Sequence, residues 1–266
     1  MTKVLSTLWF RLTKSKMLIV LLALVAGMAL IDIGLYTMLP YILSGEEMGS
    51  LEAVMDLSDM FSLTVTSVAR SDSYASMITV IFVALFLGAD FSEGTIRNAI
   101  LSNKSRWQIF GAYLVVATGA CLVFVGVQTA VYLVYLACSN GFADYTTAQV
   151  VSGIFSAVGS GFVSCLLMAT TTLFVLVGTQ KKVLAIILPL ALNMVCATAF
   201  EIVVTLGQML GSSLGFLQWI PFAQQMFFDA GAVEGALLGK ILLVNGLLAI
   251  GEGACGYFVF AKAQLK

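Results

Sequence analysis

Long apolar runs separated by short polar ones set the rhythm of this chain. Apolar residues dominate 17–43, 74–89, 108–137, 150–178, 183–205 and 237–260, and these runs are apolar on all sides, without period-two alternation. The pattern predicts membrane-crossing helices, because a barrel strand would alternate and a span needs about 20 apolar residues. The second run, Tyr74 to Ala89, is the shortest and is expected to borrow a turn from the loop before it. That loop, 44–73, has apolar residues at Leu51, Val54, Met55 and Leu63, which predicts a short helix outside the membrane. Ahead of the first run, Met1, Val4, Leu5, Leu8, Trp9 and Leu12 recur at helical spacing. Residues 1–16 are therefore expected to form an amphipathic interfacial helix, with Trp9 at headgroup depth and Lys3, Arg11 and Lys14 toward anionic lipid. The first span is expected to close near Pro40. Residues 206–236 are too polar and broken for a crossing, yet they carry Phe216, Leu217, Trp219, Ile220, Phe222, Met226, Phe227 and Phe228. They predict a re-entrant or interfacial outer hairpin bending at Pro221.

Composition narrows the class. Of 266 residues, 60% are hydrophobic and only 10% charged, with mean hydropathy +1.03. A soluble fold needs more polar surface than that, so the chain reads as one all-α transmembrane domain over 1–266 with six spans. The net charge of −1 leaves no basic footprint for nucleic acid. The five cysteines lie in apolar runs without paired spacing and read as small core residues. Histidine is absent, which removes the commonest general base and metal ligand. The first apolar run is too long for a signal peptide and reads as a retained span. Eleven of thirteen Lys and Arg residues fall at the N-terminus, the 88–107 segment, the Thr179–Lys182 link or the C-terminus, Arg70 and Lys240 being the exceptions. Nine of fourteen acids fall in the opposite loops. The positive-inside rule then predicts a multi-pass protein of the cell membrane with both termini cytoplasmic.

Between the second and third runs lies a polar island, GADFSEGTIRNAILSNKSRW, from Gly88 to Trp107. Ser92 can cap a helix, Glu93 would sit in its first turn, and Ile96, Ala99, Ile100 and Asn103 would share a side. A short helix lying across the end of a span suits docking onto a soluble partner. The run Asp90-Phe91-Ser92-Glu93-Gly94-Thr95-Ile96-Arg97-Asn98 resembles the acidic-x-x-x-Gly-Thr-Ile-Arg-Asn segment of type-2 ABC exporter permeases, the membrane subunits of peptide, antibiotic and lantibiotic-immunity transporters. Phe91 stands where relatives often carry tyrosine. The resemblance implies a cytoplasmic coupling helix within 90–106, between spans two and three, that seats in a cleft of an ABC ATP-binding subunit. It further implies that Asp90, Glu93, Gly94, Thr95, Ile96, Arg97 and Asn98 form that contact, with Lys181, Lys182 and the N-terminal helix secondary to it. A second permease, identical or homologous, would face the first across a central path.

The energy would come from elsewhere. A P-loop needs Gly, four residues, then Gly-Lys-Ser/Thr, and the only approach, Glu234 to Ile241, lacks both the first glycine and the hydroxyl. The chain is therefore expected to be no enzyme and to bind no cofactor, with ATP and Mg held by the partner ATPase. Candidate path residues follow from polarity inside apolar runs. Ser152, Ser156, Ser160 and Ser164 recur every four residues among Gly153, Ala157 and Gly161, a stripe that favours helix packing over a polar wall. Asp32, Glu201 and Glu252 are ionisable groups within spans. Asp32 and Glu201 fall near the outer surface, whereas Glu252 is deeper and shares a face with Asn245. Asn193 and Glu201 likewise share a face with Pro189. Ser156, Ser160, Asn193, Glu201, Asn245 and Glu252 are thus the candidate translocation path. Glycines 207, 211, 215, 231, 235 and 239 predict close packing within the outer hairpin. Two other classes stay open: an ion-driven secondary transporter using Glu252 and Glu201, and a non-transporting membrane sensor or scaffold.

Overall fold

The period and length of the apolar runs are realised as helices throughout the computed structural model, which describes residues 2–43, 60–70, 73–92, 96, 105–139, 141–142, 145–209, 215–221, 223–224 and 235–262. Helix α1 (Thr2–Lys14) is followed by α2 (Lys16–Leu43), α3 (Met60–Ala69) and α4 (Tyr74–Phe82). A π-helical turn (Val83–Leu87) then leads into α5 (Gly88–Ser92). Next come α6 (Arg106–Cys138), α7 (Thr147–Thr179) and α8 (Lys182–Met209), a 3-10 turn (Gly215–Trp219) and α9 (Gly235–Lys262). No strand occurs among the described residues. Six helical segments are long and apolar enough to cross a membrane: Lys16–Met38, Phe61–Phe91, Arg106–Cys138, Thr147–Thr179, Lys182–Gly207 and Leu237–Lys262. These dimensions define a multi-pass helical membrane protein.

Helix starts follow local chemistry. The Ser73 hydroxyl accepts from Ser76 N–H ahead of α4, and the Ser105 hydroxyl accepts from Gln108 N–H ahead of α6. Thr146 and Gln149 form a reciprocal capping box at the start of α7. Span two departs from its predicted form. It takes more than one turn from the preceding segment: it is built from two helices, α3 and α4, with α3 itself part of the 31-residue span. Helix α2 ends at Leu43 and its membrane-length apolar stretch at Met38, close to Pro40 as expected.

Spans two, three and four make the interior. Phe61, Phe82, Phe110, Phe124, Tyr132 and Leu173 are almost wholly buried there. The glycines of the α7 stripe explain the contact with α3: a Cβ on Gly161 would overlap the Val68 carbonyl oxygen, and one on Gly153 would stand 2.7 Å from the Phe61 ring. Only residues without a Cβ allow this approach. Helix α9 lies along α7 in the most extensive interhelical contact, burying Leu237, Ile241, Asn245, Ala249 and Phe260 on one stripe. Helix α8 buries Ala185, Pro189, Asn193 and Val204 and leaves most of its other residues exposed. The cysteines divide: Cys121 and Cys165 are core residues as expected, but Cys138 and Cys255 lie exposed on helix surfaces. All five are free thiols.

Candidate functional site

The polar island begins where the π turn ends. A π turn adds a residue to the helical count and so rotates the downstream residues by about 100° relative to an uninterrupted α-helix. Asp90, two residues past Gly88 at the end of that turn, is directed into protein and is 3% exposed. The Arg11 guanidinium donates to Asp90 Oδ1 at 2.6 Å, and the Tyr113 hydroxyl donates to Oδ2 at 3.0 Å. Arg11 also lies over the Phe86 ring, 5.5 Å from its centroid. One carboxylate thereby joins α1, the end of span two and α6. Helix α1 reinforces the joint by burying Val4, Leu8 and Leu12 while Trp9 and Phe10 stay exposed. The amphipathic helix is therefore as expected, but Arg11 pairs with a buried carboxylate and does not turn to lipid, because the short charge-assisted bond to Asp90 is available.

A second anchor stands at the island's far end. Arg106 Nη1 donates to the carbonyls of Phe260 at 3.1 Å and Ala261 at 2.7 Å, satisfying last-turn acceptors of α9. Trp107 packs edge-on to Tyr257 with centroids 4.9 Å apart. The Thr179–Lys182 link shortens to Gln180 and Lys181, with Gln180 in the left-handed conformation at φ 55°. It lies at the same end of the bundle: a Cβ on Gly88 would meet Lys182 Cγ at 2.8 Å. Between the anchors, Ile96 is helical and 2% exposed. Glu93, Gly94, Thr95, Arg97 and Asn98 lie outside the described residues. Ser92, expected to cap the island helix, is the last residue of α5, and the residues it would cap, 93–95, lie outside the described ones.

The candidate path residues do not form one lining. Ser160 is buried and donates to the carbonyl of Ser156 in its own helix at 2.6 Å, as a packing residue would. Ser156 is half-buried and Glu201 exposed. Asn193 is wholly buried on the inward stripe of α8. Asn245 and Glu252 do share a face, and both meet α7. Asn245 Nδ2 donates to Ser164 Oγ at 3.3 Å, while its Oδ1 is buried without a partner. Glu252 Oε2 accepts from the hydroxyls of Thr170 at 3.0 Å and Thr171 at 2.8 Å. Beside this pair is a cavity of about 500 Å³ among α6, α7 and α9, lined chiefly by apolar groups, with Leu114, Ala249, Ile250, Tyr257 and Phe258 against Thr170. Helix α8 contacts α7 and span two and has no comparable contact with α9, so the Asn193 and Asn245 faces do not oppose each other within one chain.

Of the outer-hairpin glycines expected to pack closely, Gly207 is buried near the end of α8. A Cβ on Gly215 or Gly239 meets nothing within 4 Å, and Gly211 and Gly231 lie outside the described residues. The 3-10 turn is held to α9 by Lys240, which donates to Gln218 Oε1 at 2.5 Å and lies 5.7 Å from the Trp219 ring centroid. That pairing accounts for one of the two cations outside the positive-inside pattern.

Sequence reasoning missed a further polar cluster at the opposite end of the bundle from α1. Asp32 accepts from the Tyr132 hydroxyl at 2.6 Å and the Tyr74 hydroxyl at 3.2 Å. Gln128, 1% exposed, accepts from Ala75 N–H at 3.0 Å and donates to the Ser67 carbonyl at 3.4 Å. The available signals were a lone amide and a tyrosine one turn apart in the third apolar run, and the unexplained Arg70. No family model, curated protein or solved structure was found to match the chain.

Proposed function

We propose that this chain is the membrane-spanning permease subunit of an ATP-driven ABC exporter, with both termini in the cytoplasm. The observation that carries the reading is the island Glu93–Asn98, with its resemblance to the exporter coupling segment, set between two anchors. Asp90 ties its start to α1 and α6, and Arg106 ties its end to α9. A force applied between them by a closing ATPase would reach four parts of the bundle through short polar contacts. Packed helices respond to such a force by moving as rigid bodies between two arrangements. ATP and Mg would stay on the partner, and a second permease, identical or homologous, would complete the path.

The substrate class that suits the interior is amphipathic: an antimicrobial peptide such as a lantibiotic, a hydrophobic drug or a lipid. The apolar cavity beside Glu252, edged by Thr118 and Thr170, offers apolar area with few polar groups. The choice of peptide among these rests on analogy with the family. An ion-driven transporter has one observation in its favour, the discontinuity between α3 and α4. Such folds place paired discontinuities in corresponding halves, and α7, α8 and α9 run through without one. A sensor or scaffold role has no observation of its own.

Co-purification with an ATP-binding subunit tests the assignment. Glu93→Arg and Gly94→Trp are expected to abolish it while leaving the permease folded. Association that survives both changes, or ion-driven solute uptake by the chain alone in liposomes, would overturn the reading.

A further inference from the structure

Glu252 is an acid inside a span with no cation bonded to it among the described residues. It lies about 15 Å along α9 from Lys262 at 1.5 Å per residue, well within a hydrocarbon layer about 30 Å thick. Asp90 pairs with Arg11, whereas the partners of Glu252 are neutral: the Thr170 and Thr171 hydroxyls, both on Oε2. Each of these hydroxyls has one hydrogen, and each also lies 2.9 Å from the Leu167 carbonyl. That hydrogen is therefore shared between the carbonyl and the carboxylate. The other oxygen, Oε1, is bonded to none of the described residues. An ionisable group at membrane depth is costly unless it is paired, and such groups mark functional sites. Two shared hydrogens on one oxygen leave Glu252 short of that pairing.

A cavity reaches the same place. Thr170 both bonds to the carboxylate and lines the cavity of about 500 Å³ among α6, α7 and α9, a volume within the range of small-molecule pockets. On α9 the neighbours of Glu252 in that lining are Ala249 and Gly253, so little side chain stands between the carboxylate and the space. A Cβ on Gly253 would meet only Leu114, at 3.9 Å. The lining includes no basic residue, and its rings, Trp107, Tyr257 and Phe258, have faces that attract positive charge. A hard metal cation is a poor fit, because it takes about six or more oxygens and these walls are chiefly apolar. An organic cation fits: its apolar body meets the walls and its charged end meets the open carboxylate oxygen.

We propose that Glu252 and the adjoining cavity bind a hydrophobic amine, with its apolar body in the cavity and its ammonium on Glu252 Oε1. The site narrows the amphipathic substrate class given above to cationic members, and it rests on the exporter reading only in calling the ligand a substrate. Binding itself needs no ATPase.

Full-length chain in phosphatidylcholine nanodiscs, without any ATPase, is dialysed to equilibrium against tritiated 4-phenylbutylamine, and empty nanodiscs give the amine held by lipid. Saturable binding is expected, and the neutral isostere 4-phenylbutanol is expected to compete about tenfold or more less well, as loss of a charge-assisted bond implies. Glu252→Gln keeps the length of the side chain and an acceptor for the two threonines. It is expected to weaken amine binding about tenfold or more and to erase the preference over the alcohol. Gly253→Leu fills the cavity and is expected to abolish binding of both, whereas Gly251→Leu, where a Cβ meets nothing within 4 Å, leaves it unchanged. Should Glu252→Gln fail to fold, the amine–alcohol preference and the two glycine variants decide. No saturable binding to the wild-type chain, equal affinity for amine and alcohol, or wild-type affinity in folded Glu252→Gln or Gly253→Leu overturns the proposal. Amine binding by a chain that associates with no ATPase overturns the exporter reading and leaves this site standing.

Discussion

Spans two, three and four differ from spans one, five and six in what surrounds them. Along their apolar stretches 67%, 61% and 61% of residues are buried by the chain itself, against 22%, 17% and 28% for the other three. All six are similarly apolar, so hydropathy alone does not separate them. What the central three share is that each packs against several other helices, locked by small and polar residues. Span four has Gly153, Ala157 and Gly161 against α3, and span three offers Gln128, Tyr132 and Tyr113 to other helices. In a bilayer, apolar area is no reason for two helices to associate, because lipid is as apolar as leucine. Close backbone approach and interhelical hydrogen bonds therefore hold spans together, in the interior and also at its edge, where Asp32 of span one and Asn245 and Glu252 of span six bond to central helices. Helix α8 has few of either, and its Ile187, Met194, Val195 and Ile202 stay exposed.

The contrast breaks most severely at Gly161. Its Cβ would already overlap a backbone carbonyl, which cannot rotate away as a side chain can. Gly161→Leu is expected to cost about 3 kcal/mol or more and to leave little folded chain by fluorescence-detected chromatography in detergent. Gly246→Leu, on the less buried sixth span where a Cβ meets nothing within 4 Å, is the matched control and should remain folded. Equal behaviour of the two would mean that α3 and α7 do not touch as described.

Asp90→Leu comes next. It leaves the Arg11 guanidinium without its 2.6 Å partner, but Arg11 is 38% exposed and can turn to water, which limits the loss. A cost of about 1–3 kcal/mol is expected, below the full penalty for a charge stranded in an interior. The sharper readout is local. A cysteine placed at Leu8, 4% exposed, should be shielded from a bulky maleimide in the parent and labelled in the Asp90→Leu background. Shielding that persists would show that α1 stays docked without the bond to Asp90.

Much of this architecture was legible in the sequence because it rests on local periodicity. Six runs gave six spans, the amphipathic start became α1, and the serine-glycine stripe became a packing seam. Long-range pairing was not legible. Nothing local to Arg11 says that its partner is Asp90, 79 residues away, or that Asp32 will meet Tyr132 across 100. The break in span two was hidden for a related reason. Residues 60–69 include two serines and two threonines, which lower their hydropathy enough to resemble a loop, and the amide that stabilises the break stands 53 residues beyond Ala75. Asn245 and Glu252 were placed on one face by their spacing, but that their partners would be on α7 was not readable from either helix.

The smallest expected effect lies at the link between the two kinds of span. Gln180 joins buried span four to exposed span five, and it is the only non-glycine residue with positive φ among the described residues. Its N–H donates to the Leu176 carbonyl at 2.8 Å, closing the last turn of α7. The left-handed conformation costs a residue with a Cβ about 1–2 kcal/mol, which glycine avoids. Glycine in turn loses about 0.4–1 kcal/mol more chain entropy on folding. Gln180→Gly is therefore expected to stabilise by about 0.5–1 kcal/mol, read as a small rise in melting temperature in detergent. Gln180→Val should lower it, because β-branching crowds a left-handed residue further. A Gln180→Gly chain less stable than the parent would mean that the glutamine side chain contributes more than its backbone strain costs, placing the join between the two regions under side-chain control and not backbone control.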